Sequence, residues 1–131
     1  NMTLEERIES ARALRAQGYN CAQCVMAVFP EVHGLPQDVA LRLSTGLGGG
    51  VGGSQNICGV LSSVALLDGS RTQGAPADKR AVYGNVSGLV RDFEQRYGTC
   101  ICRELKAPGQ TVGCNELIEA GIRMYDDFLK K

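Results

Sequence analysis

The sequence predicts an all-α protein, a compact single-domain helical bundle of five or six helices over residues 1–131 with one glycine-rich loop. Three observations carry this. Val82, Val86, Leu89, Val90, Phe93 and Tyr97 recur at helical spacing. Helix start and stop residues punctuate the chain, from Thr3 and Glu6 to Gly18, Pro30 and Gly98. No alternating run is long enough for a strand.

The elements follow in order. Thr3-Leu4-Glu5-Glu6 is a capping box that opens a helix through about Gln17, with Leu4, Ile8, Ala11 and Leu14 as its apolar stripe. Asn20 caps a second helix, Cys21 to Phe29, stopped by Pro30. Pro36 opens a third, to about Thr45. Gly46 to Gly53 is too rich in glycine for a regular element and reads as a turn, a close backbone approach or a mobile loop. Ser54 or Asn56 caps a fourth helix, Ile57 to about Leu67, closed by Asp68-Gly69-Ser70. A long helix spans about Pro76 to Tyr97, Cys100 to Lys106 forms a short helical turn, and the last helix runs from about Gly113 to Lys130.

Composition narrows the function. Fourteen Lys and Arg balance fourteen Asp and Glu, which argues against a footprint for nucleic acid or an acidic membrane surface. The absence of Trp and the few aromatics argue against stacking on single-stranded nucleic acid. No apolar run approaches the roughly 20 residues needed to span a bilayer. The first residues have no basic start and no apolar stretch, so a signal peptide is not expected and a cytoplasmic location is. Asn1, ahead of Met2, is expected to be a residue added before the natural start.

The six cysteines are the most informative feature. Spaced cysteines in a reducing compartment point to metal binding or redox chemistry rather than structural bridges. Cys21, Cys58 and Cys114 fall at predicted helix starts and continue the apolar stripes of their helices, and Cys102 begins the Cys102-Arg103-Glu104-Leu105 turn. A helix N-terminus favours a thiolate over a thiol by ~0.3–1 kcal/mol. Several thiolates in one place repel, so convergence implies a metal, a cluster or disulfide formation. Buried cysteine also serves as a small apolar filler, and that reading suits Cys24 and Cys100 best, with an accessory role as the alternative.

Other motifs are weaker. Cys21-Ala22-Gln23-Cys24 is a C-x-x-C, but Val25 replaces the histidine of a haem c site and a helical setting replaces the βαβ unit of a thioredoxin. Gly48 to Gly53 fits G-x-G-x-x-G without the preceding strand or the later acidic residue of a dinucleotide site. These glycines, Gly48, Gly49 and Gly50 together with Gly59, are instead candidates for a close backbone approach to a cluster, a thiolate or an anion. His33 is the only histidine and reads as a surface or turn residue, so no Cys–His pair is indicated. Arg103-Glu104 and Asp126-Asp127 read as solvated helix faces.

An ordered set of elements carries a family resemblance: Gly18-Tyr19-Asn20-Cys21-Ala22-Gln23, the tract Gly46 to Gly53, Cys58-Gly59-Val60-Leu61-Ser62-Ser63, Tyr97-Gly98, Cys102-Arg103-Glu104-Leu105 and Cys114. Together they resemble the redox-active protein family named for its C_GCAxxG_C_C cysteine pattern. The resemblance implies that its four characteristic cysteines are Cys21, Cys58, Cys102 and Cys114. In the family's central Cys-Gly-Ala-x-x-Gly motif, Val60 here replaces the alanine and Ser63 the second glycine. The layout has a weaker similarity to the iron–sulfur part of split-Soret cytochromes.

The expected function is redox or electron-transfer work, as an oxidoreductase or an electron carrier, through these four cysteines. They bind an iron–sulfur cluster or another soft metal such as zinc, or they cycle between thiol and disulfide without a cofactor. The expected partner is a redox protein whose identity the sequence leaves open, with a homodimer as a further option. The rival is a non-catalytic binding module in which the cysteines are structural.

Overall fold

A computed structural model describes residues 1–110 and 112–131. The fold is all-α, with helices α1 (Leu4–Ala16), α2 (Cys21–Ala27), α3 (Pro30–His33), α4 (Gln37–Ser44), α5 (Gly59–Ser70), α6 (Lys79–Tyr97), α7 (Cys102–Leu105) and α8 (Cys114–Leu129). Six of these have seven residues or more; α3 and α7 are single turns. Short 3₁₀ turns follow α4 and precede α6. Among the described residues the one β feature is an antiparallel bridge between Ile57 and Ile101.

Local chemistry sets the first two helices. Thr3 and Glu6 close a reciprocal capping box at α1, and Asn20 and Gln23 close a second at α2. Helix α2 ends at Ala27, two residues before the expected Phe29. Pro30 disfavours helical backbone at the residue ahead of it, and Phe29 sits at φ −124°, ψ 53°. Pro30 then starts α3 rather than merely stopping α2.

Helix α2 is the hub of the core. It packs on α1, α4, α5 and α8, and Ala22, Cys24, Val25, Met26 and Val28 are buried. Helix α5 crosses it and adds Val60, Leu61, Val64 and Leu67. The Ser63 hydroxyl donates to the Ala22 carbonyl across this crossing, and Val60 fits the notch left by Gly121 of α8. Helix α6 lies outside, burying only Leu89 and Phe93.

Four expectations are corrected. Asp68, Gly69 and Ser70 lie inside α5 instead of closing it, because buried Asp68 accepts hydrogen bonds from Tyr125, Arg71 and Asn85. The start of α5 moves from Ile57 to Gly59, since Ile57 and Cys58 are held extended by the segment around Ile101. His33 is buried, its Nδ1 accepting the Leu35 N–H while Nε2 has no partner among the described residues. Asp126 is also buried, paired with buried Arg7 and with Lys130. Arg7 further donates to the Val28 carbonyl and pairs with Glu31.

The glycine tract is a left-handed turn. Gly49, Gly50, Val51, Gly52 and Gly53 all have φ between 60° and 73°. Backbone bonds hold the turn: Gly52 N–H donates to Gly46 O, Gly53 N–H to Gly48 O, and Asn56 N–H, just beyond the tract, to Gly50 O. Such a run costs L-residues about 1–2 kcal/mol each, which is why four of the five positions carry no side chain.

Candidate functional site

Each of four cysteines sits at a helix beginning. Cys21, Cys102 and Cys114 are the first residues of α2, α7 and α8, and Cys58 is the N-cap of α5. Backbone pairing brings two of these starts together. Cys58 N–H donates to Cys100 O, Cys102 N–H to Asn56 O, and Arg103 N–H to Gln55 O. Helices α5 and α8 pack on α2, which brings their starts toward Cys21.

Cys21, Cys58, Cys102 and Cys114 line one small cavity, together with Gly49, Gly59, Val60, Leu105, Lys106 and Leu117. Its volume is about 20 Å³, close to the roughly 10–15 Å³ that one water needs. Gly59 is essential to the packing, since a Cβ there would lie 2.9 Å from both Cys21 Sγ and Leu47 O. Cys58 and Cys102 are buried; Cys21 and Cys114 are half-buried.

Burial dominates the electrostatics at Cys58. It pushes the thiol up to about 12, and the neighbouring Cys21 and Cys102 add to the rise, while the Val60 and Leu61 N–H groups pull the other way. The helix start therefore does not win there, although the sequence argument gave it the lead. All six cysteines are free. Among the described residues, no group of three or more His, Cys, Asp or Glu side chains is arranged to hold a metal ion.

The remaining candidates lie elsewhere. Cys24 is inside the core, its Sγ 3.7 Å from Tyr19 O, and burial pushes it up to about 11 despite Arg15. Cys100 is half-buried; burial and then the Glu94 carboxylate raise its pKa. Neither lines the cavity. Of the four glycines, Gly49 and Gly59 line it, whereas Gly48 packs on the Asn20 side chain and Gly50 on the Gln55–Asn56 backbone. Val60, Leu105, Lys106 and Leu117 were not singled out as site residues from the sequence. The available signal was spacing: Lys106 follows Cys102 by four and Leu117 follows Cys114 by three, the separations of neighbours on one helix face.

Four cysteines at four helix starts, enclosing one apolar cavity in an all-α fold, define a cysteine-centred helical protein. A family model described as "Putative redox-active protein (C_GCAxxG_C_C)" matches residues 19–128, and the chain belongs to that family. No curated protein and no solved structure matches it. No helix among the described residues is long and apolar enough to cross a membrane.

Proposed function

We propose that the protein is a thiol–disulfide oxidoreductase or electron carrier whose working groups are Cys21, Cys58, Cys102 and Cys114. The observation that carries the reading is their shared cavity: four free thiols line a space of about 20 Å³ with no histidine or carboxylate among the lining residues. The family's description as redox-active agrees with it.

The chemistry is an exchange. A thiolate at half-buried Cys21 or Cys114 attacks one sulfur of an incoming disulfide, and the other sulfur leaves as a thiolate that takes up a proton. A second cavity thiolate then attacks the mixed disulfide and expels the remaining half. The incoming disulfide gains two electrons and becomes two thiols, and the protein keeps one internal disulfide. Cys58 is not the first attacker, because burial keeps it protonated at neutral pH.

Four thiolates are also the ligand set of a soft metal ion such as zinc, but among the described residues they are not arranged to hold one, so zinc would require the side chains to move. Four cysteine thiolates are equally the usual ligands of an iron–sulfur cluster, and the two readings part on whether the purified protein carries iron and sulfide. The test is anaerobic purification followed by a visible spectrum, metal and sulfide analysis and a thiol count. Colourless protein that loses thiols in reversible pairs supports the reading. Brown protein containing iron and sulfide, or six thiols that never pair, overturns it.

A further inference from the structure

The cavity carries one charged lining residue, Lys106. It is exposed while lining an otherwise apolar and cysteine-rich space, so it marks where the cavity meets solvent. Its backbone N–H donates to Cys102 O, which fixes the base of its side chain beside the start of α7. Among the described residues it forms no ion pair. The charged residues before it are engaged elsewhere: Arg103 with Gln55 and Ser54, and Glu104 with Thr99. Glu116, in the first turn of α8, is two residues from Cys114 and does not line the cavity.

Two long helices reinforce this charge. The α5 and α8 N-termini both open at the cavity, and neither is capped by a side-chain hydrogen bond. Each adds partial positive charge at the same mouth. An approaching anion therefore meets an ammonium and two positive helix ends, while a cation meets the same field as a barrier.

We propose that Lys106 makes this cavity selective for disulfides that carry negative charge, such as those bearing carboxylates. The proposal rests on the thiol–disulfide reading of the same four cysteines. The exchange is the one written above, with the carboxylate-bearing disulfide as oxidant: two protein thiols become one internal disulfide, and the incoming disulfide becomes two anionic thiols. Lys106 draws the reagent in and holds its carboxylate, and it transfers no electrons or protons.

The experiment compares two disulfides of opposite charge on the fully reduced protein at low ionic strength. Dithiobis(nitrobenzoate) is the anion and cystamine the cation, and peptide mapping restricts the rates to adducts on Cys21 and Cys114. One charge at contact distance is worth about 1 kcal/mol in water, or roughly a five-fold rate. Lys106→Gln removes that attraction for the anion and the matching repulsion for the cation, so it should lower the anion-to-cation rate ratio by about 5- to 25-fold. Lys106→Arg should keep the ratio, and high salt should erase the difference. A ratio unchanged in Lys106→Gln, or an equal loss with both reagents, overturns the proposal. Adducts that never resolve into an internal disulfide would sink the thiol–disulfide reading and leave the charge selectivity standing.

Discussion

A Cβ placed on Gly121 would stand 2.1 Å from Cγ1 of Val60, so α5 and α8 reach each other only because Gly121 carries no side chain. Val60 also lines the cysteine cavity, which ties the size of the site to this contact. Gly121→Ala alone should cost about 1–3 kcal/mol through overpacking, and Val60→Ala about 2 kcal/mol through the hole it leaves. The double variant should cost less than the sum, with a coupling of about 0.5–3 kcal/mol, because one change makes room for the other. Urea melts of the four proteins measure it; strict additivity would refute the contact.

Val51 is the one side chain in the left-handed turn, at φ 69° and 45% exposed. Val51→Gly relieves about 1–2 kcal/mol of backbone strain against a glycine entropy cost of about 0.5–1 kcal/mol. A net gain of about 0.5–1 kcal/mol follows. Gly50→Ala should do the opposite, since its Cβ would lie 2.6 Å from Asn56 N at φ 73°. Thermal melts should move in opposite directions for the two variants.

Burial holds the His33 pKa below its ordinary value, with Glu31 opposing. The folded state favours neutral imidazole, so its contribution is complete above the unfolded pKa of about 6.5 and is lost as pH falls toward the folded value. His33→Asn keeps an acceptor for the Leu35 N–H and removes the titration. Its stability should fall less than that of the parent between about pH 7 and pH 5. Parallel stability–pH curves would disprove the link.

Arg7 is buried and meets Asp126, Glu31 and the Val28 carbonyl. Arg7→Met leaves Asp126 buried with Lys130 alone. The loss should be about 3 kcal/mol, the low end for breaking a buried pair. Calorimetry decides; a change under about 1 kcal/mol would mean the pair is screened as a surface bridge is.

The sequence made legible what neighbouring residues decide. The Thr3–Glu6 box, the Gly18 and Gly98 stops and the Cys102–Leu105 turn all rest on contacts within a few positions. What stayed hidden depends on distant partners. Asp68 looks like a helix stop until Tyr125 is beside it, and Asp126 looks solvated until Arg7 arrives. The cysteine positions at helix starts were readable, but their surroundings were not. Burial at Cys58 and the pairing of Asn56 and Cys58 with Cys100 and Cys102 follow from chain segments some forty residues apart. The left-handed run was obscured by Val51, a residue type that disfavours that backbone.

The seam between α1 and α8 has a consequence for how a newborn chain matures. Its ties, Arg7 to Asp126, Arg12 to Glu119 and Arg15 to Asn115, join positions 119, 107 and 100 apart. During synthesis α2 waits without one of its walls, and Cys21, Cys58 and Cys102 wait without Cys114, until α8 leaves the ribosome. Protection of those early thiols from premature oxidation thus falls to the surroundings of the nascent polypeptide until α8 docks.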